Sequence, residues 1–249
     1  MEKEAGMSSP EVVRSRLDAF RQQRGYLLPH QGALAAALPA LQDAYGPFYR
    51  TLVQDRHYLS DFEREFVWVV LLSTAREAIG THHVKLFYDS GATQRHAEAA
   101  FRLSAWAAGA PTFAFLHEHW QPHFPAVAAP DAYRRAVAAL IAGFEGVPPE
   151  LAQLALLSAH AARADHWGVE QAIRACYADG IAETGMVEVL SLALWPCGIN
   201  RFIDACDIWL GLMRSGAVRP SPTFQAWADT PGQEGCPVVP GPAGDASGA

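Results

Sequence analysis

Laid on itself at a constant offset of 89 residues, the sequence repeats. Tyr88, Gly91, Leu103, Trp106, Gly109, Phe113 and Trp120 fall on Tyr177, Gly180, Leu192, Trp195, Gly198, Phe202 and Trp209. Large aromatic residues and helix-punctuating glycines are costly to place by accident, so we take the repeat as real. Upstream the register changes: Leu71-Leu72-Ser73 matches Leu156-Leu157-Ser158 at an offset of 85. The second copy therefore carries about one extra helical turn ahead of its counterpart of His83. Each copy reads as a helical hairpin followed by two further helices. Two such units in one chain would bury their apolar faces against each other as a fused pseudo-dimer.

Residue choice agrees with helices throughout. Ala, Leu, Glu, Gln and Arg dominate, while the strand formers Ile (7) and Thr (8) are scarce, so the expected fold class is all-α. Ser9-Pro10-Glu11 opens a helix to about Arg24, and Ser60-Asp61-Phe62-Glu63 is a capping box ahead of a long apolar run. Further helices are expected over 33–54 with a bend at Pro39, then over 94–107, 112–120, 131–144, 149–163, 166–178, 184–195 and 200–213. Residues 1–125 read as a first repeat with a leading helix and 126–218 as a second. Residues 219–249, with 6 Pro and 5 Gly, read as a disordered tail.

Composition removes several function classes. The net charge of −7 gives no basic field for nucleic acid or anionic lipid, and the longest strongly apolar run, Phe66 to Ala75, is half a membrane span. The start has no signal-peptide core, so a cytoplasmic protein is expected. Cys176, Cys197, Cys206 and Cys236 form no CxxC pair, which takes away the usual marks of structural zinc and dithiol chemistry. No phosphate-binding loop, dinucleotide fingerprint, nucleophile elbow or HExxH string occurs.

The order Arg64-Glu65, an apolar helix, REAIGTHHVKLFYDSGAT over 76–93, then Trp106 and Gly109 resembles the carboxymuconolactone decarboxylase and AhpD-like alkylhydroperoxidase superfamily, an all-α fold built from such repeats. In its redox branch a CxxC precedes a histidine some eight residues ahead of a glycine. Counting back from Gly91 puts His83 on that histidine. The cysteine positions fall at Arg76 or Glu77 and at Ile79 or Gly80, with no thiol at either. The same count from Gly180 lands on Asp165, Gly168 and Ala172. Peroxide reduction of that type needs a low-pKa thiolate and a resolving thiol, so an acid/base set closer to the decarboxylase branch is what survives.

The resemblance then implies cofactor-independent lyase or isomerase chemistry, decarboxylation or double-bond migration, on a small carboxylated or lactone-type aromatic catabolite. His83, near a helix start that suits a neutral imidazole, is the first choice for proton shuttle, with His82 beside it. Glu77 or Glu65 would hold its tautomer, and Arg76 or Lys85 would hold the substrate carboxylate, with Trp106 also in the substrate-binding set. In the second copy His160, His166 and Glu170 form a further cluster, an acid/base dyad or metal ligands if they converge. No metal or other cofactor is expected. The four tryptophans at helical spacing read mainly as core. A homo-oligomer, trimer or dimer, is expected by analogy with the superfamily. Two rival classes stay open: a peroxidase-type oxidoreductase and a non-catalytic oligomeric binding protein.

Overall fold

The computed structural model describes residues 7–55, 57–233 and 235. Among them every regular element is helical. The chain divides into two compact units after His57, whereas the borders expected from the sequence lie after 125 and 218.

The first unit holds α1 (Pro10–Arg24), α2 (Pro29–Ala37), α3 (Pro39–Tyr49) and a π-helical turn (Arg50–Gln54). Ser9 caps α1, Gly25 ends it in the left-handed region at φ 80°, and Pro39 breaks the long expected helix between α2 and α3. Arg16 donates to Gln42 at 2.7 Å and pairs with Asp43. Arg24 lies over the Tyr49 ring at 4.0 Å.

The second unit continues with α4 (Asp61–Ala75), α5 (Thr81–Asp89), α6 (Gln94–Gly109), α7 (Pro111–Phe115), a π turn (Leu116–Trp120), a 3-10 turn (Gln121–His123) and α8 (Ala129–Ala142). There follow α9 (Pro149–Ala162), α10 (His166–Ala178), α11 (Glu183–Leu192), α12 (Leu194–Cys197), α13 (Ile199–Arg214) and α14 (Pro222–Asp229). The Ser60 capping box forms, with the Ser60 amide donating to Glu63 at 2.8 Å. Helices α4 and α9 are buried on almost every face, from Arg64 to Leu71 and from Leu151 to Ala161. A helix apolar all round can only be a central element. The two lie against each other with α6, α10 and α11 packed on them. Helices α4 and α9, one from each of the stretches read as repeats, share one core.

Helices α5 and α10 end 89 residues apart, and α6 and α11 begin 89 residues apart. Between them Gly91 and Gly180 both hold positive φ, 91° and 71°, a turn that a Cβ would strain. The tryptophans at the repeat positions part company. Trp209 is fully buried under Phe224 and Trp227 of α14, whereas Trp120 is 51% exposed in the π turn. Trp106 and Trp195 are half-buried. The expectation that all four build the core is thus corrected for Trp120, which has no helix like α14 over it. The stretch expected to be disordered from residue 219 opens instead with a helix. Ser221 caps α14 and its amide donates to Glu183, while Arg214 binds the carbonyls of Ala228 and Thr230. Residues 236–249, with Cys236, lie outside the described residues.

Candidate functional site

Glu65 sits in the second turn of α4 and His83 in the first turn of α5, and the hairpin between them brings the two side chains together. His83 Nδ1 lies 2.8 Å from Glu65 Oε2, with both residues buried. The imidazole stacks on Trp68, ring centroids 4.2 Å apart and planes 19° apart. An acceptor carboxylate opposite Nδ1 selects, for a neutral ring, the tautomer with its proton on Nδ1 and its lone pair on Nε2. His82, half-buried, has its ring centroid 4.2 Å from that of His83. On the far side of Glu65, Arg64 Nε lies 3.6 Å from Oε1, and Arg64 also binds Asp61 at 3.1 Å.

The other residues expected at this pocket sit elsewhere. Helix α4 stops at Ala75 and Arg76 turns the chain in the left-handed region, φ 57°. Glu77 is exposed and its carboxylate accepts the Ile79 amide at 2.8 Å, so it closes the turn rather than holding His83. Arg64, not Arg76, is the cation beside Glu65. Arg76 and Glu77 instead line an open hollow of about 320 Å³ with Val69, Leu72, Thr81 and Phe101. His83 is not among the residues of its wall. Lys85 is exposed and pairs with Asp89 one turn on, which leaves it a solvated surface cation. Trp106 packs on Phe113 and Tyr133, each with centroids 6.0 Å away, and so lies toward α8 rather than beside His83.

That second cluster is also assembled differently from the expectation. His160, in the last turn of α9, is fully buried, with Nδ1 2.9 Å from Asp165 Oδ2 and Nε2 2.6 Å from the Tyr133 hydroxyl. The Tyr133 O–H donates to Nε2 when Asp165 holds the proton on Nδ1, giving an Asp165–His160–Tyr133 chain. Asp165 also caps α10 through the Gly168 amide at 3.0 Å. Because Asp165 is the N-cap, the next residue, His166, points outward and lies 3.8 Å from Asp204. Glu170 pairs with Arg174 at 2.8 Å. The trio His160, His166 and Glu170 is therefore dispersed, and among the described residues no three His, Cys, Asp or Glu converge on a metal position. The spacing of His160 and Asp165 was readable as a helix end followed by a cap. Tyr133, 27 residues upstream, carried no local signal.

Burial works to raise the Asp165 carboxyl, but the hydrogen bond and charge of His160 and the Gly168 amide outweigh it and hold the group below its usual range. Burial pushes the Tyr133 phenol up, so it stays protonated. The thiols of Cys176 and Cys197 are likewise raised, and that of Cys206 to about 11, all by burial. None of the three is a ready thiolate.

A carboxyl depressed on folding stabilises the protein above its unfolded value, about 3.9, and loses that contribution as pH falls through the folded value. Urea midpoints followed from pH 6 downward are expected to fall less steeply below pH ~4 in Asp165→Asn than in the parent. Asparagine can keep the cap on the Gly168 amide but turns a donor toward His160 Nδ1, so the comparison is made on the slope with pH and not on the absolute midpoint. Parallel curves would show that Asp165 does not carry the linkage.

Compared with models of protein families, with curated proteins and with solved structures, the chain matches none.

Proposed function

We propose that the protein is a cofactor-independent acid/base enzyme similar to the carboxymuconolactone decarboxylases. Its chemistry would be decarboxylation or double-bond migration in a small carboxylated or lactone-type aromatic compound. The observation that carries the reading is the buried His83–Glu65 pair at 2.8 Å, a histidine whose tautomer is set by a carboxylate. Glu65 is the residue that orients the ring, His83 Nε2 is the nitrogen that takes and returns the proton, and His82 links it toward solvent. Arg76, on the wall of the 320 Å³ hollow beside the start of α5, is the cation offered to a substrate carboxylate.

The matching helix ends, matching helix starts and paired positive-φ glycines at 89 residues support a tandem-repeat origin. Exposed Ile79, Val84, Tyr88 and Phe101 support self-association, as expected of a cytoplasmic homo-oligomer. The raised thiols of Cys176, Cys197 and Cys206 speak against the peroxidase reading.

The test is turnover of carboxymuconolactone and related carboxylated lactones by the purified chain, with His83→Asn and Glu65→Gln alongside. Loss of a general acid/base is expected to lower kcat by about 10²–10⁴ in His83→Asn while the helical circular dichroism is kept. A second reading, a non-catalytic binding protein, is favoured by the 2% exposure of His83 beneath Trp68. Absence of turnover in the folded parent chain decides for that second reading, and unchanged turnover in the folded His83→Asn protein removes His83 from the chemistry.

A further inference from the structure

A cavity of about 390 Å³ lies among α8, α9 and α10, remote in sequence from the hollow at Arg76. Val137, Ile141, Ala172 and Ala175, all buried, supply an apolar wall, and Tyr133 stands at one end. Gln153 is the one amide side chain on that wall. It is only 7% exposed, and its Oε1 is buried without a hydrogen-bond partner. An orphaned buried acceptor is unfavourable in an empty protein and is relieved by anything that donates to it.

The origin of the space can be read in the chain itself. At the offset of 85 Gln153 occupies the place of Trp68, and at the offset of 89 Ala172 occupies the place of His83. In the first hairpin those two rings stack 4.2 Å apart and fill the interior. In the second hairpin a glutamine and an alanine stand where the rings would be, smaller side chains that leave more of the interior unfilled, and both line the cavity. The polar group that survives there is the one that has no partner.

These features define what would fit. The volume is at the small end of ligand sites and admits a single ring with a short substituent. The apolar wall calls for an apolar body, and Gln153 Oε1 calls for a hydroxyl or N–H donor. At the rim Arg134 is already ion-paired with Asp131, and Asp179 adds a further negative charge, so the mouth offers no net positive charge to an anion. We propose that this cavity is a binding site for a small neutral ring compound bearing a hydroxyl, of the phenol class, with that hydroxyl donating to Gln153.

Ligand-observed NMR and calorimetry on the full chain with p-cresol, toluene and p-toluate test this. The wild-type protein is expected to bind p-cresol about tenfold more tightly than toluene, the factor of one buried hydrogen bond, and p-toluate more weakly than p-cresol. Gln153→Leu is expected to remove the preference for p-cresol over toluene. Ala172→Phe, which puts a ring back into the space, is expected to abolish binding of both. Equal affinity of the wild-type protein for p-cresol and toluene, tighter binding of p-toluate, or no binding of p-cresol overturns the proposal, and none of these results depends on a variant folding. His83→Asn is expected to retain p-cresol binding, so failure here and failure of the acid/base reading are separate results.

Discussion

Replacing Gly168 by alanine is expected to destabilise the protein by about 3–5 kcal/mol, the range for a substitution that disrupts a buried hydrogen-bonded pair. Helix propensity alone predicts the opposite sign, since alanine in a helix interior is favoured over glycine by about 1 kcal/mol. The collision decides. A Cβ at 168 would sit 2.2 Å from His160 Nδ1 and 2.4 Å from Asp165 Oδ2, the two atoms that bond each other at 2.9 Å. Neither neighbour can swing aside cheaply. His160 is held at its other nitrogen by Tyr133, and Asp165 is the cap of the helix on which Gly168 lies. Moving either one strands a buried polar group and loosens the start of α10. Urea unfolding followed by circular dichroism measures the effect, and an unchanged or raised midpoint would show that His160 is not seated against this glycine. Any side chain at position 168 meets the His160 imidazole first.

What could be read from the residues followed from local rules. The Ser60 capping box, the stops at Gly91 and Gly180 and the all-helical composition are statements about neighbours in sequence, and each has its counterpart in the structure. That only one of His82 and His83 can face a core was readable, because consecutive helix positions diverge by about 100°; the choice of His83 came from the count back from Gly91, and His83 is the buried one. Glu65 was named beside Glu77 as its partner, and the choice between them depended on Arg76. A left-handed residue at 76 is invisible to propensity, since arginine is a good helix former, yet it ends α4 and sends Glu77 onto the Ile79 amide. The missed parts are long-range. Tyr133 reaches His160 across 27 residues, and α14 is a short helix whose formation rests on Phe224 and Trp227 finding Trp209. A Pro- and Gly-rich stretch reads as irregular until the surface that it covers is known.

Removing Glu65 alone and removing it together with His83 are expected to differ in stability and to agree in abolishing turnover. Glu65→Val leaves the buried His83 Nδ1–H without its acceptor and is expected to cost about 3–5 kcal/mol. Arg64 keeps a partner in Asp61, so the loss reports mainly on the histidine. The double change Glu65→Val with His83→Leu takes both polar groups out of the interior and puts side chains of similar volume against Trp68. Buried ion-pair partners replaced together by well-packed apolar groups are neutral or stabilising in many proteins, so most of the lost midpoint is expected to return. Turnover should not return with it, because a leucine cannot carry a proton. A double variant that is stable and inactive would therefore separate the pair's chemistry from its packing. One that is stable and as active as the parent would assign His83 and Glu65 to architecture alone. Under the proposed acid/base reading the double variant is the deciding protein, because two apolar groups can replace a buried polar pair in packing but not in proton transfer.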